Sequence, residues 1–444
     1  MKKIHKISIL ICFIFLAQAC NILDQEPIDA VSNQRLFTRG SDAEPAIIGA
    51  YEAAARLGQN YVLMAEIPTK NIVGNALNRQ FEQMNNLLFL DDNGFYNNLW
   101  RENYLLISRV NVIISRVPGI EDLSTENKNR VLAEARFLRA FAYFNLVRYF
   151  GNVPLITEPT TTADLVSLQV SRDPTEKVYE QIFSDLEFAK QNLPDNFSGT
   201  LATKARATKA AAFALATRIH LFRKEYSQVL SNSEQVISLR GRSLTNSYQS
   251  LYADRNTDEA IWEINYDNIV TNTMARTFLP GALGGVRMLE VNPDIISAYE
   301  AGDLRKNVTI GMQAGQPFVN KYTRANSGSD NIIVFRLAEV LLSRAEALAE
   351  TSFPSSEATE LLNEIRRRAG LSPVSLNEKN AFINQLYKDR RLELCYEGHE
   401  WFDLVRTDRL GSVLGITDPN KRIWPIPAVE LLRNPNLLPQ NPGY

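Results

Sequence analysis

Glu393 and Glu397 stand four residues apart, a spacing that puts both carboxylates on one face of a helix. Two carboxyls held roughly 5–10 Å apart are what glycoside hydrolysis requires, so this pair is the candidate for an enzyme. Arg366, Arg367, Arg368, Arg390 and Arg391 crowd the same stretch. Guanidinium groups lower the pKa of a neighbouring carboxyl, whereas a working general acid needs it raised. The pair therefore reads as structural ion pairing, with hydrolysis as the rival from the enzyme class. Asp403 and Arg406, set in Trp401-Phe402-Asp403-Leu404-Val405-Arg406, read in the same way, the aromatics packing and the charges bridging to neighbours. Gly281, Gly284 and Gly285 are not followed by the Lys-Ser/Thr of a phosphate loop. There is no HExxH and no CxxC, and past the first 19 residues the histidines are His220 and His399 alone. Zinc chemistry and a Ser-His-Asp arrangement are thus poorly supplied, and no catalytic residue, metal ligand or cofactor is assigned.

A different chemistry is better supplied. Holding a pyranose takes flat aromatic faces for its C–H face and paired amide, carboxylate or guanidinium groups for its hydroxyls. The stretch from Asn71 to Tyr96 offers both, with Asn71, Asn75, Asn78 and Arg79 near Phe95 and Tyr96. Later loops add Tyr266, Asp267, Arg276, Phe278, Arg287 and Tyr322. Each of these twelve is a ligand-contact candidate, with burial in the core as the alternative for every aromatic among them. Trp100, spaced helically with Tyr104 and Ile107, and Trp262, between Ile261 and Ile264, read as core.

The first 20 residues say where these groups would work. Lys2, Lys3 and Lys6 precede an apolar run over residues 7–17, and Ala17-Gln18-Ala19-Cys20 closes it. That is an export signal ending at a lipidation cysteine. The run is far short of the ~20 residues needed to span a bilayer, so acyl chains on Cys20 are the expected anchor. Cys12 is a poor rival because Ile11 is too large for a cleavage site. Removing residues 1–19 deletes three lysines and no acid, taking the net charge from −2 to −5, which argues against a nucleic-acid partner. Only Cys395 then remains as a thiol, so no intramolecular disulfide is expected.

The elements that position these residues are helical. Residues 20–40 read as a tether and 41–444 as a single mostly α domain. Val131, Ala135, Leu138, Ala142 and Leu146 recur at helical spacing, and Gly151 and Pro154 end that helix. Asp173-Pro174-Thr175-Glu176 supplies a cap, a first-turn proline and an acid for the next. Further pairs are expected over 204–239, 332–369 and 379–410, the second of these built on Phe335, Ala338, Leu342, Ala345 and Ala349. With 124–193 they make about four tetratricopeptide-like pairs. Residues 66–98 and 241–330 are rich in Asn, Gly and aromatics. They read as long loops with short β elements, such as a strand over Ala260–Tyr266, and form the ligand face.

Several motifs resemble the SusD/RagB family. They are Glu134-Ala-Arg-Phe-Leu-Arg-Ala-Phe-Ala-Tyr-Phe through Phe150-Gly-Asn-Val-Pro-Leu, Arg336-Leu-Ala-Glu with Arg344-Ala-Glu-Ala, and Asn363-Glu-Ile-Arg-Arg-Arg-Ala-Gly-Leu. Arg391-Leu-Glu-Leu-Cys-Tyr-Glu-Gly-His-Glu-Trp-Phe-Asp-Leu-Val-Arg, Trp424-Pro-Ile-Pro and the ending Gln440-Asn-Pro-Gly-Tyr444 follow in family order, with Leu23-Asp-Gln-Glu-Pro near the start. The resemblance implies a surface lipoprotein of Bacteroidetes-type outer membranes. Such a protein captures an oligosaccharide, or in some branches a peptide, beside a SusC-like TonB-dependent transporter, and it catalyses nothing. A pure scaffold without a small ligand is the remaining alternative. Glu400 departs from the family, standing where an arginine commonly precedes the tryptophan. Gln18 is unusual beside a lipidation cysteine, and the chain is shorter than many relatives.

Overall fold

The computed structural model describes residues 37–444 except 162, 163, 165 and 242. The export signal, Cys20 and the tether up to residue 36 lie outside the described residues.

Helices succeed one another as neighbours along most of the chain. α1 (Ala43–Glu66) packs on α2 (Gly94–Arg116), which packs on α3 (Thr125–Phe150) and through it on α4 (Thr175–Asn192). α5 (Lys209–Phe222) and α6 (Tyr226–Arg240) continue the row to α7 (Leu337–Ser352), which holds α8 (Ser356–Arg368) and α9 (Lys379–Leu394). α10 (Glu400–Arg406) follows as a short helix against α1. The mostly α, tetratricopeptide-like expectation holds, and α1 adds a helix not read from the sequence, paired with α2, which the spacing of Trp100, Tyr104 and Ile107 had shown in part.

Local chemistry accounts for the best-predicted helix. Ser124 caps α3 by accepting from the Asn127 N–H at 3.3 Å, and Gly151 ends it with φ +69°. The stripe Val131, Ala135, Leu138, Ala142 and Leu146 is wholly buried. In α5 the buried alanines 210, 211, 212, 214 and 216 let neighbouring helices approach closely. α4 begins one residue later than its sequence signal suggests. Pro174 is the cap, while Asp173 instead accepts from the Leu155 N–H and pairs with Lys177.

One helix prediction fails at its start. Residues 332–336 form a strand, β6 (Ile332–Arg336), and α7 begins only at Leu337. Ile332-Ile333-Val334-Phe335 is a β-branched, fully buried run, and a strand buried on both faces satisfies it better than one helical stripe. It pairs antiparallel with β2 (Ala260–Ile264), which is shorter than the expected Ala260–Tyr266. Trp262 of β2 is core, with Phe137 and Phe141 meeting its ring edge-on.

The two expected loops are more ordered than their composition suggests. Residues 66–98 contain β1 (Ile72–Gly74), a helix over Arg79–Asn85 capped by Asn78, and the first turn of α2. Residues 241–330 hold short helices, β3 (Leu289–Val291) and the hairpin of β4 (Ile310–Gln313) and β5 (Gln316–Val319). β1 pairs with β3, Ile72 opposite Val291, and so ties the two regions together.

The largest apolar cluster runs from α1 through α5 and takes in Trp401, Trp424 and Ile426 from the C-terminal part. A second cluster fills the space between α7, α8 and α9. Cys395, at the end of α9, is buried and makes no disulfide.

Candidate functional site

Glu393 and Glu397 share a face of α9 and its following turn, and arginines occupy that face. Arg336 reaches Glu393 at 2.6 Å, Glu397 at 2.7 Å and Glu259 at 3.0 Å, with its own side chain 1% exposed. Arg368 pairs with Glu393 and Glu259, and Lys321 pairs with Glu397 at 2.7 Å. Burial alone would raise the Glu393 pKa, but Arg368, Arg336 and Arg305 overcome it and hold the carboxyl down at about 2. A carboxyl so held is a poor general acid. Asp403 likewise bridges Arg390 and Arg406 at 2.8 and 2.7 Å.

The aromatic candidates divide sharply by burial. Tyr96, Tyr266, Phe278 and Tyr322 are all at most 4% exposed. Tyr96 packs on Trp424, with ring centroids 4.8 Å apart. Tyr266 donates its hydroxyl to the Ala55 carbonyl of α1, and Tyr322 donates to the Tyr396 carbonyl at 2.9 Å. Phe278 lies between Tyr322 and Tyr396. None of these rings has an open face for a sugar. Phe95 is half-buried and stacked on Phe81 at 4.5 Å.

The polar candidates are gathered more usefully. Asn71 is buried, donating to Glu66 at 2.8 Å and accepting from Arg391 at 2.8 Å, so it serves the fold. Asn78 accepts from the N–H groups of Gln80 and Phe81 as a helix cap. Asn75 donates to the Arg287 carbonyl at 2.6 Å across the β1–β3 junction, and the Arg287 guanidinium reaches the Pro317 carbonyl of β5 at 3.0 Å. Arg79, Asp267 and Arg276 are exposed. Asp267 accepts from the N–H groups of Ile269 and Val270, and these bonds hold its carboxyl below the usual range.

Clefts of about 800, 630 and 420 Å³ contain none of the twelve ligand candidates. The first lies between α2, residues 154–160 and 168–170, and the C-terminal stretch 430–437, with Trp100 and Tyr104 in its wall. The second is lined by residues between Ser243 and Asp258, and the third lies between the stretch around Tyr252 and the segment 307–323. The first and third do not show as sequence motifs, because each is assembled from segments far apart in the chain.

Two family models match, "Starch-binding associating with outer membrane" over residues 23–221 and "SusD family" over 302–415. The chain belongs to the SusD family. It is 29% identical to SusD-like protein P2 of Formosa agariphila, over the whole of both chains. Among solved structures, a laminarin-binding SusD-like protein is 26% identical with a TM-score of 0.79, covering 92% of this chain and 100% of that one. A SusD superfamily protein from Parabacteroides distasonis is 25% identical with a TM-score of 0.80, covering 90% of this chain and 99% of that one. Measured against the SusD-family pattern, Glu400 is the informative departure. It is buried, 3.7 Å from Arg391, and its charge adds to the burial that raises the pKa of Glu66 to about 7. Glu66 in turn accepts from the N–H groups of Gly398 and His399. The turn between α9 and α10 is thus fastened to the end of α1 by a carboxylate that burial drives towards its protonated form.

Proposed function

We propose that this SusD-family chain captures an oligosaccharide at the cell surface and passes it to a SusC-like TonB-dependent transporter, anchored through acyl chains on Cys20. The observation that carries the reading is the end-to-end likeness to a solved laminarin-binding relative. The ligand face in this reading lies where β1–β3 joins the two loop regions, with exposed Arg79, Asp267 and Arg276 and half-buried Asn75 and Arg287 as its polar groups. Because the buried aromatics cannot stack, hydrogen bonding from this polar set does the work on that face. Stacked helix pairs present a broad surface suited to a protein partner, and residues 41–444 act as one domain in this reading. The engaged state of Glu393 and Glu397 supports binding without turnover.

Calorimetric titration of the mature protein with laminarin and with α-glucans, xylans and mannans tests the proposal. Saturable binding without release of reducing ends is expected, and Arg79→Ala with Arg276→Ala should weaken it. Binding to a peptide library but to no glycan would transfer the protein to peptide capture. Mild-detergent co-purification from the native membrane tests the transporter partnership, and recovery of the lipoprotein alone would remove it.

A further inference from the structure

Between the short helix Ser250–Ala253 and the segment that carries β4 and β5 lies a cleft of about 420 Å³, within the ~300–1,000 Å³ range of small-molecule sites. None of the twelve candidates from sequence enters it. Its apolar part is Ala253 and Tyr252 with Val308, the last two packed against Tyr248 and Ile333. Tyr252 is fixed from beneath, donating its hydroxyl to Glu397 at 2.6 Å, with the Lys321 ammonium 4.6 Å from its ring centroid. The polar lining is Gln249, Asn307, Asn320 and Thr323, which carry no side-chain hydrogen bond among the described residues. A primary amide presents an acceptor and two donors, so three unengaged amides around one aromatic floor match the paired donors and acceptors of vicinal hydroxyls. The lining contains no carboxylate, guanidinium or ammonium group. Glu397 and Lys321, the charges that touch Tyr252, are paired with each other beneath the floor, Glu397 also with Arg336.

We propose that this cleft is a binding site for a neutral oligosaccharide, held by the amides of Gln249, Asn307 and Asn320 over Tyr252. The proposal rests on the glycan-capture reading and adds to it a place and a preference for uncharged sugars. Amides of this kind also suit a peptide backbone. A peptide, however, needs pockets for alternate side chains, and here the apolar surface is confined to one ring, one valine and the methyl of Ala253.

Valine-methyl-labelled mature protein, titrated with laminarihexaose, maltohexaose, cellohexaose, xylohexaose, an oligogalacturonate and a pool of neutral peptides, provides the test. Val308→Ala identifies the Val308 resonances. At least one neutral hexaose should move them, and Asn307→Ala and Asn320→Ala should each weaken that binding about 2- to 10-fold with an unchanged melting temperature. The oligogalacturonate should bind more weakly. A hexaose that moves Val73 and Val286 but not Val308 would leave glycan capture standing and remove the cleft. No movement of any valine by any sugar would remove both. Movement of Val308 by the peptide pool alone would overturn the sugar assignment.

Discussion

Arg336 donates to three carboxylates at a depth where no solvent can replace a lost partner. Removing one member of a buried charge network leaves the others unpaired, at a cost of roughly 3–5 kcal/mol. Arg336→Met should therefore lower stability by about that amount in urea denaturation, whereas Arg367→Met, whose pairing with Glu360 is exposed, should change it little. Glu66 offers a pH test. Its folded pKa is raised to about 7, first by burial and further by Glu400, against the donated hydrogen bonds that pull it down. Stability from a raised acid is fully present below the ordinary value near 4.5 and is lost as pH rises through about 7. Glu66→Gln should thus become more stable relative to the wild type as pH climbs from 5 to 8, by up to roughly 3 kcal/mol. His399, whose pKa burial lowers, titrates with the opposite sign and is common to both proteins, so the difference between their melting curves isolates Glu66.

At the scale of elements, α1 meets the β2–β6 pair through Gly58. A Cβ there would lie 2.2 Å from the Tyr266 hydroxyl and 2.9 Å from Ile332. Gly58→Ala should cost about 1–3 kcal/mol, and adding Tyr266→Phe should recover part of the loss in a double-mutant cycle. A similar contrast separates capping from ligand contact at Asn78. Asn78→Ala should lower stability by ~1 kcal/mol and Asn78→Ser should restore it, both read by thermal melting. These elements also show how far the sequence could be read. The helix over 125–150 announced itself by its apolar spacing and by Gly151 and Pro154 at its end, whereas the alanine-rich helix expected from Lys204 is broken at residues 206–208 and resumes at Lys209. α1 buries fourteen residues and was not read from the sequence. Ile332–Arg336 is buried at every position, and a short apolar run buried on both faces cannot be told from a buried helix segment by periodicity. Of the candidate site, the ion pairing of Glu393 and Glu397 was legible from composition, but of the five arginines nearby in sequence only Arg368 takes part, the other partners, Arg305, Lys321 and Arg336, coming from distant segments. The burial of Tyr96, Tyr266, Phe278 and Tyr322 was not legible, since an aromatic among asparagines and glycines looks the same whether it faces water or α1.

On the scale of the whole molecule, Trp424 joins the end of the chain to its beginning. Its ring meets those of Phe89, Tyr96, Tyr149 and Trp401 within 6 Å, and its backbone N–H bonds to the Tyr149 carbonyl at 2.6 Å. Asn441 then donates to the carbonyls of Phe150 and Trp424, so the terminal residues are stitched to α3 as well. Trp424→Ala should cost about 3–5 kcal/mol. With the first and last thirds of the chain sharing one cluster, the loss should appear as a single shifted urea transition, not as early release of one part.

Cys395 sits 1% exposed at the turn that Glu66 fastens, with burial pushing its thiol pKa well up. A sulfur so placed can meet an aromatic disulfide reagent only when the surrounding turn opens. A chain starting at residue 21 carries no other thiol. Colour release would therefore run at the pace of that opening, a stopwatch built into the polypeptide. Any sugar that prefers the closed form must slow it by up to the factor 1 + [L]/Kd, so unlabelled glycans could be ranked from absorbance traces alone.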